Sequence, residues 1–136
     1  RKVRENCSIL LEHSFFFDGN PRRIVWVIQT NDSTVEQKRE HPDIYMNKVT
    51  IQQSKYIAMH VGLFWGIGRF IINNEDGITI KIDDKAMFDN LLRNKISPDE
   101  FIKTRVHFIT QLIDQRKLKI NYELISSEKN LASKSC

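Results

Sequence analysis

Asp83 and Asp84 stand side by side after an alternating apolar run, Ile78-Thr-Ile-Lys-Ile82. Paired carboxylates at a strand end are the groups that hold a hard divalent cation. A solvated strand end is the simpler reading of the same pair. His13, His41, His60 and His107 show no metal-ligand spacing with one another, nor with Cys7 and Cys136. Ser14 beside His13 lacks the glycines of a nucleophile elbow. Gly66-Ile-Gly68 lacks the third glycine of a phosphate loop and falls inside a helical pattern. Any chemistry in this chain therefore rests on its carboxylates.

The elements that would carry them can be read from periodicity. Ser8 to Phe17 is an apolar run broken by Glu12 and His13 and reads as a strand. Asp18-Gly-Asn-Pro21 is a turn, since Gly accepts positive φ and Pro fixes its own. Arg22 to Thr30 is a second strand, rich in β-branched and aromatic residues. Asn31 to Asp43 is polar and reads as a loop, and Ile44 to Thr50 as a third strand. Tyr56, Met59, Leu63, Ile67 and Phe70 recur at helical spacing, which predicts a long helix over Ile51 to Ile72. Gly62, Gly66 and Gly68 weaken that helix by about 1 kcal/mol each relative to Ala, and small residues there admit a close neighbour.

Ile78 to Ile82 is a strand, and Lys85 to Asn94 a short helix. Ser97-Pro-Asp-Glu100 predicts a capped start for the next helix, with Ser97 as cap, Pro98 in the first turn and Glu100 completing a capping box. Ile102, Val106, Ile109 and Ile113 make its inner face, and Arg116 and Lys117 suit its C-terminal end. Lys119 to Ile125 is the last strand, followed by a short helix or tail. Three strands in hairpin connection followed by crossover units predict an α/β fold, a mixed five-stranded sheet flanked by helices.

The chain has 136 residues, 40% hydrophobic and 28% charged, as expected of one domain over residues 1–136 with a real core. It begins at Arg1 without Met, which reads as a piece of a longer protein. No apolar run is long enough for a membrane span. Cys7 and Cys136 form no disulfide framework, so a reducing intracellular compartment, nuclear or cytoplasmic, is expected.

Phe101-Ile-Lys-Thr-Arg-Val-His-Phe-Ile109 and Ile125-Ser-Ser-Glu-Lys-Asn-Leu-Ala-Ser133 resemble the C-terminal part of copia-type retrotransposon ribonuclease H domains. The agreement lies at Ile102, Arg105, His107, Phe108 and Ile109, then at Glu128, Leu131 and Ala132. Ser54-Lys-Tyr-Ile-Ala58 resembles that family's helix start, and Ile82-Asp-Asp-Lys85 its acidic strand end. The resemblance runs from roughly Ser8 to Lys134 and implies the ribonuclease H fold. It also implies a reaction, two-metal hydrolysis of RNA paired to DNA, with carboxylates holding both ions.

Carried over position by position, the family's carboxylates are half replaced. The first falls on Glu12, with Asp18 as a rival because Phe17-Asp-Gly19 resembles the first-strand end of cellular ribonucleases H. The second falls on Lys55, the third on Asp83 and the fourth on Ser133. Shifting the second position back to Gln53 or Gln52 restores no acid. An ammonium about 4 Å from a unit positive charge is repelled by roughly 4 kcal/mol at an effective dielectric of 20, and a divalent ion doubles that. Ser133 offers only a neutral oxygen. The resemblance therefore implies a lost metal site, with the Lys55 ammonium expected near Asp83 or Glu12.

A domain that no longer cleaves would act through a surface. A protein partner or self-association is the favoured expectation; Phe15-Phe16-Phe17, core by default, and the three helix glycines are candidates for a packed contact, either within the domain or with a second chain. The net charge of +4 is mild. A non-cleaving nucleic-acid contact through Arg22, Arg23, Lys38 and Arg39 is the alternative. An active ribonuclease using Glu12, Asp18 and Asp83 is the third reading. Magnesium enters only there; otherwise no cofactor is expected, and neither a membrane nor a small-molecule substrate.

Overall fold

The computed structural model describes residues 10–93 and 95–136. The start of the expected first strand at positions 8–9, the end of the short helix at position 94, Cys7 and the basic residues of the first few positions lie outside them.

Strand β1 spans Glu12–Gly19, β2 Arg23–Thr30 and β3 Ser33–Glu40. Helix α1 follows at Ile51–Gly68, β4 at Gly77–Ile82, α2 at Lys85–Leu92, α3 at Glu100–Arg116 and β5 at Lys119–Leu124. Two 3-10 turns, Ser127–Lys129 and Ser133–Ser135, close the chain. The sheet order is β3-β2-β1-β4-β5. β1, β2 and β3 are antiparallel, and β4 runs parallel to both β1 and β5. This is the mixed five-stranded sheet predicted, with one correction. The third strand is Ser33–Glu40, where a loop was expected, while residues 44–50 form no strand, with turns through residue 48. β3 is an edge strand with no buried residue, so its polar sequence carries no apolar alternation beyond Val35.

Alternation along the strands builds two cores. Phe15, Phe17, Ile24, Trp26 and Ile28 face α1, meeting Tyr56, Met59 and Leu63. Phe16, Val25 and Val27 face the other way and are covered by Ala132, Leu131 and Ile125 from the tail. All three phenylalanines of the Phe15-Phe16-Phe17 run are therefore internal rather than a partner surface. Gly62 lies against Phe15 and Trp26, and Gly66 against Ile72 and Ile28, so two of the helix glycines admit the sheet rather than a second chain.

The helix ends are fixed by side chains. Thr50 and Gln53 form a reciprocal capping box at the start of α1. α1 stops at Gly68, short of Ile72, because Phe70 turns left-handed (φ 63°) and the Ile71 and Ile72 amides bond back to Gly66 O. α3 is capped by Asp99, which accepts from the Phe101 and Ile102 amides at 2.8 and 3.2 Å. The expected cap, Ser97, instead accepts from the Asp99 amide. None of the described helices is long and apolar enough to cross a membrane.

Candidate functional site: a lysine among carboxylates

Parallel pairing of β1 and β4 brings their C-terminal ends together, where sheet folds of this kind place their ligands. Asp18 lies near the end of β1, and Asp83 directly follows β4. Lys55, one turn into α1, reaches across both. Its Nζ donates to Asp83 Oδ1 at 2.7 Å and lies 3.8 Å from Asp18 Oδ1. The pair is shielded, with Lys55 and Asp83 side chains 13% and 5% exposed. Burial alone would lower the Lys55 pKa; the Asp83 hydrogen bond and the charges of Asp83, Asp18 and Asp84 override it and raise it. The ammonium is thus fixed in its charged form.

The remaining carboxylate oxygens are also satisfied. Ser133 Oγ donates to Asp18 Oδ2 at 2.8 Å, and the Gly19 amide donates to Asp18 Oδ1 at 2.8 Å. Asn130 Nδ2 donates to Asp83 Oδ2 and to Phe17 O, both at 2.9 Å. Asn130 Oδ1 accepts from the Ala132 amide. Cys136 borders this cluster, and its thiol is pushed up to about 11 by burial and then by Asp18.

Of the residues singled out in the sequence, Asp18, Lys55, Asp83 and Ser133 converge. Glu12 does not. It lies at the opposite end of β1, opposite Gly77, six residues and roughly 20 Å of strand from Asp18. The rival, Asp18, is the acid that reaches Lys55. Asp84 turns away from Asp83 to cap α2, accepting from the Met87 amide at 3.0 Å. Gln53 is engaged in the capping box and with Asp99, and Gln52 with Asp84. Asn130 was missed. It sits between two matched positions, Glu128 and Leu131, and no spacing rule marks it.

The basic residues do not form one stripe. Arg23 pairs with Glu40 at 3.1 Å. Lys38 and Arg39 alternate to opposite faces of β3. Arg22 is exposed beside the β1–β2 turn. The histidines have structural partners. His13 is buried against Asp76 at 2.8 Å and Thr30. His41 Nε2 lies 2.8 Å from Ser54 Oγ, and His60 stacks on Phe108 while facing Arg105 at 3.2 Å.

The donor set does not fit a pair of divalent ions. Two carboxylates face the position, and an ammonium already occupies the space between them. Among the described residues no group of three or more His, Cys, Asp or Glu side chains is arranged to hold a metal ion. The arrangement holds its charges in balance, one ammonium against two carboxylates.

Comparison with protein families finds no match, nor does comparison with curated proteins. Solved structures do match. Ribonuclease H1 of the archaeon Halobacterium salinarum aligns with a TM-score of 0.74 at 15% identity, over 91% of this chain and 92% of that one. The N-terminal ribonuclease H domain of a Mycobacterium tuberculosis protein gives 0.75 at 16%, over 91% and 89%. LC11-RNase H1, solved with an RNA/DNA hybrid, gives 0.71 at 13%, over 91% of each. Together with the sheet order, these likenesses establish that the chain has the ribonuclease H-like fold.

Proposed function

We propose that this chain is a ribonuclease H-like domain of copia-type descent that does not cleave, and that it serves inside the cell, in nucleus or cytoplasm, as a binding module. One observation carries the reading: the Lys55 ammonium, 2.7 Å from Asp83 and 3.8 Å from Asp18, stands where hydrolysis by this fold needs cations. A metal ion would have to displace a hydrogen-bonded, opposite-charge partner and then accept its repulsion. The substitution compensates the buried acids, which without a cation would be costly. No cofactor is required.

The test is incubation of the purified chain with an RNA–DNA hybrid in magnesium and in manganese. No cleavage is expected. Cleavage that Asp83→Asn abolishes would overturn the proposal.

A second reading is a non-cleaving contact with a nucleic-acid duplex. The hybrid bound to LC11-RNase H1 favours it. The mild net charge and the divided placement of Arg22, Arg23, Lys38 and Arg39 argue for a protein partner first.

A further inference from the structure

A groove runs along α1 beside the edge strand β3, ten residues and about 15 Å of helix beyond Lys55. Trp26 forms its floor, and Val61, Phe64, Trp65 and Arg69 come from the helix side. Arg39 closes it from β3. Its volume is 390 Å³, room for one or two side chains. Phe64 is 64% exposed there.

Three features of this groove lack a partner. The indole N–H groups of Trp26 and Trp65 are buried and have no acceptor among the described residues. Leaving such donors unpaired is unfavourable, and buried polar groups nearly always find one. The guanidiniums of Arg39 and Arg69 lie over the Trp26 and Trp65 rings at 5.6 and 5.4 Å. Neither pairs with a carboxylate among the described residues; Arg39 reaches only Gln37 Oε1, at 2.9 Å. Stacking favours these positions for both cations while leaving their edge donors open to a carboxylate. Beyond them, β3 ends the sheet order, with no strand on its outer side.

We propose that this groove binds an extended acidic segment of a partner protein, with one aromatic or aliphatic side chain against Phe64 and Trp65 and flanking carboxylates on Arg39 and Arg69. The segment's carboxylates meet the guanidiniums, and its apolar side chain covers Phe64 and Trp65. Its extended form suits an open strand edge. Single-stranded nucleic acid fits less well, because the guanidiniums already cover the indole faces on which bases would stack. A second copy apposing the same groove would set Arg39 and Arg69 against like charges. The proposal deepens the binding-module reading and rests on it for the class of partner.

Both tryptophans of the chain line the groove, so their emission reports its occupancy directly. A random dodecapeptide library is selected on the immobilised full chain, and the enriched peptides are titrated against tryptophan emission. Enrichment of acidic residues around an aromatic or aliphatic one is expected, with a saturable change in emission. Arg69→Glu and Phe64→Ala, both at exposed positions, should each weaken binding by about tenfold or more. Arg93→Glu, at the C-terminal cap of α2, should not. The proposal is overturned if no acidic–apolar sequence is enriched, or if the enriched peptides bind the Arg69→Glu and Phe64→Ala variants unchanged. It is also overturned if oligothymidylate shifts the emission more tightly than any peptide. Hybrid cleavage would sink the non-cleaving reading without altering these titrations, so the two failures are separable.

Discussion

The two ends of α1 handle polar groups in opposite ways. At the Lys55 end, ammonium, carboxylates, amide and hydroxyl close on one another. At the Trp65 end, two buried indole donors and two ring-stacked guanidiniums have no acid to meet them among the described residues. A site whose groups satisfy each other has little free energy left to gain from a ligand. A site whose groups are positioned and unsatisfied has more. On the binding reading proposed above, the groove end of α1, and not the closed Lys55 end, is the part of this domain equipped to take a partner.

The sharpest way to break that contrast is to open the closed end. Lys55→Glu removes the cation and adds a third carboxylate beside Asp18 and Asp83. A loss of about 3–5 kcal/mol in urea unfolding is expected. Millimolar magnesium should restore part of that loss in the variant while leaving the unmodified chain unmoved. An unchanged unfolding midpoint would mean that Lys55 does not balance the acids.

The open end can be probed through its glycines, with a smaller effect. A Cβ on Gly62 would come within 2.6 Å of Phe15 Cζ and 2.9 Å of Trp26 Cγ, while one on Gly68 would meet nothing within 4 Å. Gly62→Ala should cost about 1–3 kcal/mol by displacing the groove floor. Gly68→Ala should gain up to about 1 kcal/mol from helix propensity. Thermal unfolding of the two variants should move in opposite directions, and equal shifts would contradict the packing.

The smallest effect is pH-dependent and belongs to the closed end. Burial lowers the pKa of His41 from its usual 6.5, against the raising influence of the Asn20 carbonyl and Glu40. His60, on the middle of α1, is lowered by burial and then by Arg105. A histidine depressed in the fold takes up its proton more readily when unfolded. Stability is therefore full above about pH 6.5 and declines as pH falls, by at most about 1.4 kcal/mol per unit for each ring. Urea midpoints between about pH 7.5 and 5.5 should fall, and His41→Gln should flatten the decline. A midpoint that rises on acidification would refute the assignment.

Much of this was legible in the chain, because burial imposes periodicity. The Phe15-Phe16-Phe17 run, the Ile78 to Ile82 alternation and the Tyr56–Met59–Leu63 spacing each reported an element with a buried face. β3 was not legible because an edge strand keeps its charges in water, while Ile44, apolar in sequence, is 70% exposed in a turn. At the site, Asp83 was marked by the paired carboxylates at a strand end, whereas Lys55 was found through resemblance alone. Glu12 and Asp18 could be separated only by register, since both sit on one strand and only its C-terminal end meets β4 at the right place. The aromatic groove escaped notice because Trp26 and Arg39 come from different strands, and nothing in their spacing joins them to Trp65.

Asn130 has a consequence for the order of events in folding. Its side chain ties Phe17, 113 positions earlier, to Asp83, 47 positions earlier. Contacts across such separations form late, after the loops they close have already been shortened by other pairings. During synthesis, β1, α1 and β4 can assemble before Asn130 emerges. The cover that Ala132, Leu131 and Ile125 give to the Phe16 face of the sheet comes from the same tail. The expected order is therefore sheet first and tail last, with Asn130 as the latch that closes over a sheet already paired.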